Sequence, residues 1–90
     1  MTLQELFSSE DKWTQEAEAR NAAFRPVKPN DPEAVCWCLE GGIRLCYPDN
    51  FFEIRDKLRD LINNDLLFEW NDHPNRIFQQ VYELIVEANV

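Results

Sequence analysis

Three cysteines and one histidine are the residues of this chain best suited to metal binding or catalysis. Cys36, Cys38 and Cys46 could supply thiolates, and His73 could act as a further soft ligand or as a base. If residues 36–38 are helical, Cys36 and Cys38 are separated by roughly 200° and point to nearly opposite faces. The chain also lacks paired Cys-x-x-Cys segments. The sequence therefore predicts neither a metal site nor a cofactor.

A thiol enzyme remains an alternative hypothesis. It would use Cys36 or Cys38 as the nucleophile or ligand group, with His73 and Asp72 as its polar partners. The chain contains no phosphate-binding loop, no Gly-rich dinucleotide turn and no nucleophile elbow. Without a second catalytic motif, we predict a non-enzymatic protein with no catalytic residues.

The charge of the chain favours a protein partner with a basic surface. Seventeen acidic residues against nine basic ones give a net charge of -8, which disfavours direct binding to nucleic acid. We expect the contact to use Trp13, Glu16, Glu18, Glu40 and Asp56. An inhibitor that imitates a nucleic-acid backbone is a related possibility, although basic residues interrupt the acidic ones.

Length and cysteine number predict a single small cytoplasmic domain. Ninety residues suit one domain, and no segment resembles a membrane span or a signal peptide. An odd number of cysteines without an export signal predicts reduced thiols. A homodimer is a further hypothesis, because so short a chain often completes its core across a two-fold interface.

Capping residues and apolar spacing predict the helices. Thr2 suits the start of a short N-terminal helix. A central helix should begin at Pro32, capped by Asp31, and extend to about Cys46. Two further helices should span about 51–63 and 73–88, the latter capped by Asn71 or Asp72, with an inward-packing link at Leu66 to Trp70.

Residues 12–28 and the tryptophans allow more than one interpretation. The run from Gln15 to Arg20 has helical propensity, whereas its thin apolar content and the prolines that follow favour a loop or short hairpin. We expect the hairpin or loop. We also expect Trp37 and Trp70 to be mostly buried and Trp13 to be the more exposed anchor.

Three segments of the chain together resemble a known family. They are Trp13-Thr14-Gln15; Cys36-Trp37-Cys38-Leu39 with Gly41 and Gly42; and Trp70-Asn71-Asp72 with Pro74. In this order they resemble a family of small bacterial and phage proteins classed as a domain of unknown function. The resemblance implies a hairpin or extended loop after Trp-Thr-Gln and a glycine after Gln15, where this chain has Glu16. It implies no catalytic residues, and its phage members favour action on a host machine.

These observations lead to one predicted architecture. The fold should be mostly α, a small bundle of three main helices with a short N-terminal helix and an irregular or short β-hairpin excursion. Its function should be that of an acidic protein-binding module, with inhibition of a host nucleic-acid-handling protein as one form of that role.

Overall fold

The computed structural model describes residues 1–90 and contains five α-helices and a three-stranded antiparallel sheet. The helices are α1 (Leu3–Leu6), α2 (Leu39–Cys46), α3 (Phe51–Leu61), α4 (Leu67–Asp72) and α5 (Phe78–Ala88). The strands are β1 (Ala19–Asn21), β2 (Pro26–Val27) and β3 (Ala34–Trp37), in the order β2-β1-β3, and a short 3-10 helix spans Glu10–Lys12. The fold is therefore largely helical, as predicted, but it is a mixed α/β fold and not purely a bundle.

The short N-terminal helix forms as predicted. The Thr2 hydroxyl accepts from the backbone N–H of Glu5, and the Glu5 carboxylate accepts from the backbone N–H of Thr2. This capping box lets so short a helix begin cleanly. The N–H of Leu3 also donates to the carbonyl of Val90 at 2.7 Å, which joins α1 to the chain that follows α5.

The expected hairpin is confirmed, and the helical alternative for this segment is wrong. Strands β1 and β2 pair antiparallel, with Ala19 opposite Val27 and Arg20 opposite Pro26. Only Ala19 of β1 is buried, so the segment has too little apolar surface to anchor a helix on the core. Pairing with a second strand satisfies its backbone instead.

The predicted start of the central helix is wrong. Ala34–Trp37 forms β3, and α2 begins at Leu39 and ends at Cys46 as expected. The Asp31 carboxylate does accept from a nearby amide, that of Glu33, but it closes a turn and not a helix. Pairing with β1 gives residues 34–37 backbone partners that local capping signals cannot reveal.

The two C-terminal helices also have different bounds from those predicted. Helix α3 ends at Leu61, and the expected link at Leu66 to Trp70 instead contributes to α4. Helix α5 begins at Phe78 and not at His73, so neither Asn71 nor Asp72 caps it. His73 has a ψ of 131°, the extended geometry that a following proline imposes, and Pro74 therefore ends α4.

The core lies between the helices, and β3 leads directly into α2. Fourteen buried apolar residues form one cluster drawn from α1, α2, α3, α4 and α5 and from the ends of the chain. Trp13, Trp37 and Trp70 pack against its edge. This arrangement places the segment before β1 beside both α2 and α4. No helix of the fold has the length and apolar character to cross a lipid bilayer.

Candidate functional site

The side chain of Asn71 is completely buried and makes four hydrogen bonds. Its Oδ1 accepts from the indole N–H of Trp13 at 2.9 Å and from the backbone N–H of Leu39 at 3.0 Å. Its Nδ2 donates to the carbonyl of Thr14 at 3.2 Å and to the carboxylate of Asp72 at 2.9 Å. Every hydrogen-bonding position of the amide is therefore used inside the fold.

Residues 15 and 16 extend this network to the protein surface. Gln15 Nε2 donates to the carbonyls of Asn71 and His73, both at 2.9 Å, and the backbone N–H of Glu16 donates to Asp72 Oδ1 at 2.9 Å. Glu16 has a φ of 65°, the left-handed region that favours glycine. The family resemblance implies glycine at this position, and the backbone geometry supplies the reason.

The three segments that suggested the resemblance thus meet around one amide. Trp13 to Gln15 come from the first segment, Leu39 from the second and Asn71 with Asp72 from the third. Their contacts are with one another, and none of them leaves a buried polar side-chain atom without a partner. The hydrogen-bond network therefore gives the residues of these three segments a structural role.

The tryptophans do not divide into buried and exposed as expected. All three are partly buried, including Trp13, whose indole N–H donates to Asn71 Oδ1. The Trp37 indole donates to the carbonyl of Pro29 at 2.9 Å, and the guanidinium of Arg76 stacks 3.8 Å from the centre of a Trp70 ring. Trp13 is therefore not the exposed tryptophan that we expected, and its role in partner binding stays a prediction.

A cavity of about 360 Å³ shares Asp72 with this network and forms the candidate site. Its lining residues, which we call the acidic pocket, are Ala17, Glu18, Cys38, Glu40, Phe68 and Asp72. Carboxylates come from three separate segments, the approach to β1, the first turn of α2 and the end of α4. Phe68 adds an aromatic wall that is 47% exposed. The pocket therefore combines negative charge with apolar surface.

Two carboxylates of the acidic pocket have contrasting surroundings. Glu18 pairs with Arg44 at 2.7 Å, in an ion pair whose two side chains are about half exposed. Burial raises the pKa of Glu40 above its ordinary value, and the charge of Glu18 adds to that rise, whereas Arg44, Arg55 and Arg59 oppose it. A cation entering the pocket would find Glu40 without an ion-pair partner of its own.

The structure brings together some of the predicted partner-binding residues and separates others. Glu18 and Glu40 line the acidic pocket, and Glu16 lies beside it through its bond to Asp72. Asp56 lies on α3, where it pairs with Arg55 at 2.8 Å, and it does not line the pocket. Trp13 does not line the pocket, and its indole N–H donates to Asn71.

Sequence reasoning missed Phe68 and Asp72 as lining residues of the pocket. Phe68 belongs to the segment predicted to pack inward, and its exposure follows from the short helix α4 turning that position outward. Asp72 was expected to cap a helix that begins six residues later. No spacing in the sequence connects position 72 with Glu16, because the two lie 56 residues apart.

Cys38 serves as the N-cap of α2. Its sulfur accepts from the backbone N–H of Gly41 at 3.3 Å, and burial raises the pKa of the thiol to about 11. The thiol is therefore protonated at neutral pH, whereas a nucleophile needs the thiolate. His73 is exposed, and its Nδ1 accepts from the backbone N–H of Asn75.

The predicted helical separation of Cys36 and Cys38 is wrong, because Cys36 lies in β3 and Cys38 precedes α2. The Cys36 thiol lies 3.9 Å from the carbonyl of Arg20, and all three cysteines are free. No group of three or more His, Cys, Asp or Glu side chains is arranged to hold a metal ion.

Comparison with known proteins gives one match. A family model described as a family of unknown function (DUF6197) matches residues 4–89. No curated protein and no solved structure matches the chain significantly.

Proposed function

The chain belongs to the DUF6197 family of unknown function, and we propose that it is a non-enzymatic protein-binding module. Its acidic pocket receives a basic side chain from the surface of a partner protein. The observation that carries this proposal is the convergence of Glu18, Glu40 and Asp72 around the exposed ring of Phe68.

The chemistry of the acidic pocket suits an arginine or lysine of the partner. The charged head group would lie against the carboxylates, where partial burial strengthens the attraction. The alkyl stem or the guanidinium plane would pack on Phe68 and Ala17, since cations are attracted to aromatic faces. A pocket that offers both contacts discriminates a basic side chain from a free metal cation.

The half-buried position of Glu40 supports a binding role. Burial disfavours the charged form of Glu40, so the ionised carboxylate lowers the stability of the free protein. A cation delivered by a partner relieves that cost, so the same group contributes to affinity. Groups that lower the stability of the free protein in this way are common at binding sites.

The proposal extends to the class of partner and to the compartment. Basic surfaces of the required kind are common on proteins that handle nucleic acids, and a module seated on such a surface would inhibit its partner. Three free cysteines suit the reducing cytoplasm, which we propose as the location.

A pull-down comparison with matched variants tests the proposal. The baits are the native protein, Glu40→Lys in the acidic pocket and Glu87→Lys on the exposed surface of α5, each checked for folding by circular dichroism. We expect the native protein and Glu87→Lys to capture the same basic protein, identified by mass spectrometry. Glu40→Lys should lose it, and added salt should weaken the capture. Capture that is equal for all three baits, or that is indifferent to salt, would contradict the proposal.

A further inference from the structure

The tip of the β1–β2 hairpin presents an aromatic ring to solvent in an unfavourable backbone conformation. We define this hairpin tip as residues 21–25. Phe24 is 66% exposed and has a φ of 63°, a region that a bulky side chain rarely occupies. The apolar ring gains little from folding at this exposure, and most of its surface is available to a partner.

Hydrogen bonds and a cation–π contact hold the hairpin tip around this ring. The side-chain oxygen of Asn21 accepts from the backbone N–H groups of Ala23 and Arg25, both at 3.0 Å. The guanidinium of Arg20 lies 4.3 Å from the centre of the Phe24 ring and donates to the carbonyl of the same residue at 3.1 Å. A ring fixed in this way loses little further freedom on binding.

The hairpin carries a local positive charge on an otherwise acidic protein. Residues 19–30 contain Arg20, Arg25 and Lys28 and no acidic residue, against a net charge of -8 for the whole chain. The acidic pocket carries the opposite charge, from Glu18, Glu40 and Asp72. One molecule therefore carries a basic aromatic projection and an acidic hollow with an aromatic wall.

We propose that the hairpin tip of one molecule docks into the acidic pocket of a second copy of this chain. Phe24 packs against Phe68 and Ala17, and Arg25 faces Glu40. Complementary charge selects this occupant, and a cavity of about 360 Å³ has room for one aromatic side chain. The proposal rests on the proposed function, because it names a partner for the same pocket.

The interface of this association is small. One aromatic anchor and a few ion pairs bury less than a standard protein interface, so we expect a dissociation constant on the order of 100 µM. Reciprocal docking in a two-fold dimer would use both contacts at once, whereas one-way docking would produce short chains of molecules. In either case the association should weaken with added salt.

A charge exchange between two variants tests the contact. We expect the native protein to associate in sedimentation equilibrium at about 1 mM. Arg25→Glu and Glu40→Lys should each weaken association at least about tenfold, because each places like charges opposite one another. An equimolar mixture of the two variants should associate again, since the unaltered tip of one meets the unaltered pocket of the other. Phe24→Ala should also weaken association, because the hairpin tip then lacks its aromatic anchor.

Glu87→Lys on α5 is the matched charge control and should associate like the native protein. A native protein that stays monomeric at this concentration, or a mixture of variants that does not recover association, would overturn the inference. The proposed function would then still stand if Glu40→Lys abolished capture of the basic partner. If self-association depended on Arg25 and Glu40 but capture of the basic partner did not depend on Glu40, the contact between copies would stand and capture of that partner through the pocket would be contradicted.

Discussion

Asn71 connects segments that lie far apart in the chain, so its loss should be costly. In an Asn71→Ala variant the indole N–H of Trp13 and the amide of Leu39 lose their acceptor inside the fold. Each unsatisfied donor costs about 1 to 3 kcal/mol, so we expect a loss of about 3 to 5 kcal/mol in the free energy of unfolding. Urea denaturation measures this loss.

Asn75→Ala provides the control for that measurement. Asn75 is exposed, and the bond of its backbone N–H to His73 does not need the side chain. We expect a change within about 0.5 kcal/mol for this variant. Equal losses for the two variants would show that the network around Asn71 contributes little.

Glu40 gives a second prediction at the residue scale, in the dependence of stability on pH. Because burial raises the pKa of its carboxyl above the ordinary 4.5, the folded chain holds this proton to a higher pH than the unfolded chain does. Stability therefore falls as pH rises from about 4.5 through the raised pKa. Below that range both states are protonated, and Glu40 contributes no pH dependence.

Glu40→Gln should remove this decline. Compared with the native protein, it should have a higher melting temperature at pH 7 and little difference near pH 4. Glu87→Gln, on an exposed surface, should follow the native curve. A Glu40→Gln variant that is less stable than the native protein at pH 7 would show that attraction to Arg44, Arg55 and Arg59 outweighs burial.

At the scale of the elements, the contact between α2 and the segment before β1 requires glycine at position 41, because there is no room for a side chain. A β-carbon at Gly41 would lie 1.9 Å from the carbonyl oxygen of Glu18, which also accepts from the backbone N–H of Cys38. Alanine normally stabilises a helix by about 1 kcal/mol relative to glycine. Gly41→Ala should instead destabilise the fold by more than about 2 kcal/mol, because a backbone segment must move.

Urea denaturation of Gly41→Ala beside Gly42→Ala tests this expectation. A β-carbon at Gly42 would meet the ring of Phe7 at 2.7 Å, and a side chain can adjust more easily than backbone. We therefore expect both variants to be destabilised, and Gly41→Ala more strongly. A gain in stability at Gly41 would mean that the close contact with Glu18 does not determine the fold.

The elements also show which structural features could be predicted from the sequence. The cap at Thr2, the hairpin before residue 28 and the end of α2 at Cys46 follow from local signals. Strand β3 could not be predicted, because it forms by pairing with β1, and the paired residues Arg20 and Cys36 lie 16 residues apart in the sequence. Pairing across the chain overrode the helix-starting signal of Asp31 and Pro32.

At the scale of the whole molecule, the distribution of charge carries more information than its sum. Residues 1–40 and residues 41–90 each have a net charge of -4, which conceals the basic hairpin between acidic segments. The acidic character of Glu18 and Glu40 could be predicted from the sequence, but their grouping with Asp72 and Phe68 required the fold. Only the tertiary structure brings positions 18, 40, 68 and 72 to one cavity.

The edges of the small sheet have a consequence for concentrated solutions. Strand β2 has only two residues and includes Pro26, which has no N–H to offer. On the other side, β3 is irregular opposite the Arg20–Asn21 step, and its carbonyl at Trp37 already accepts from Thr14. Both edges are short, and each includes a backbone position that cannot pair with a further strand, so the native sheet is a poor template for cross-β fibril growth.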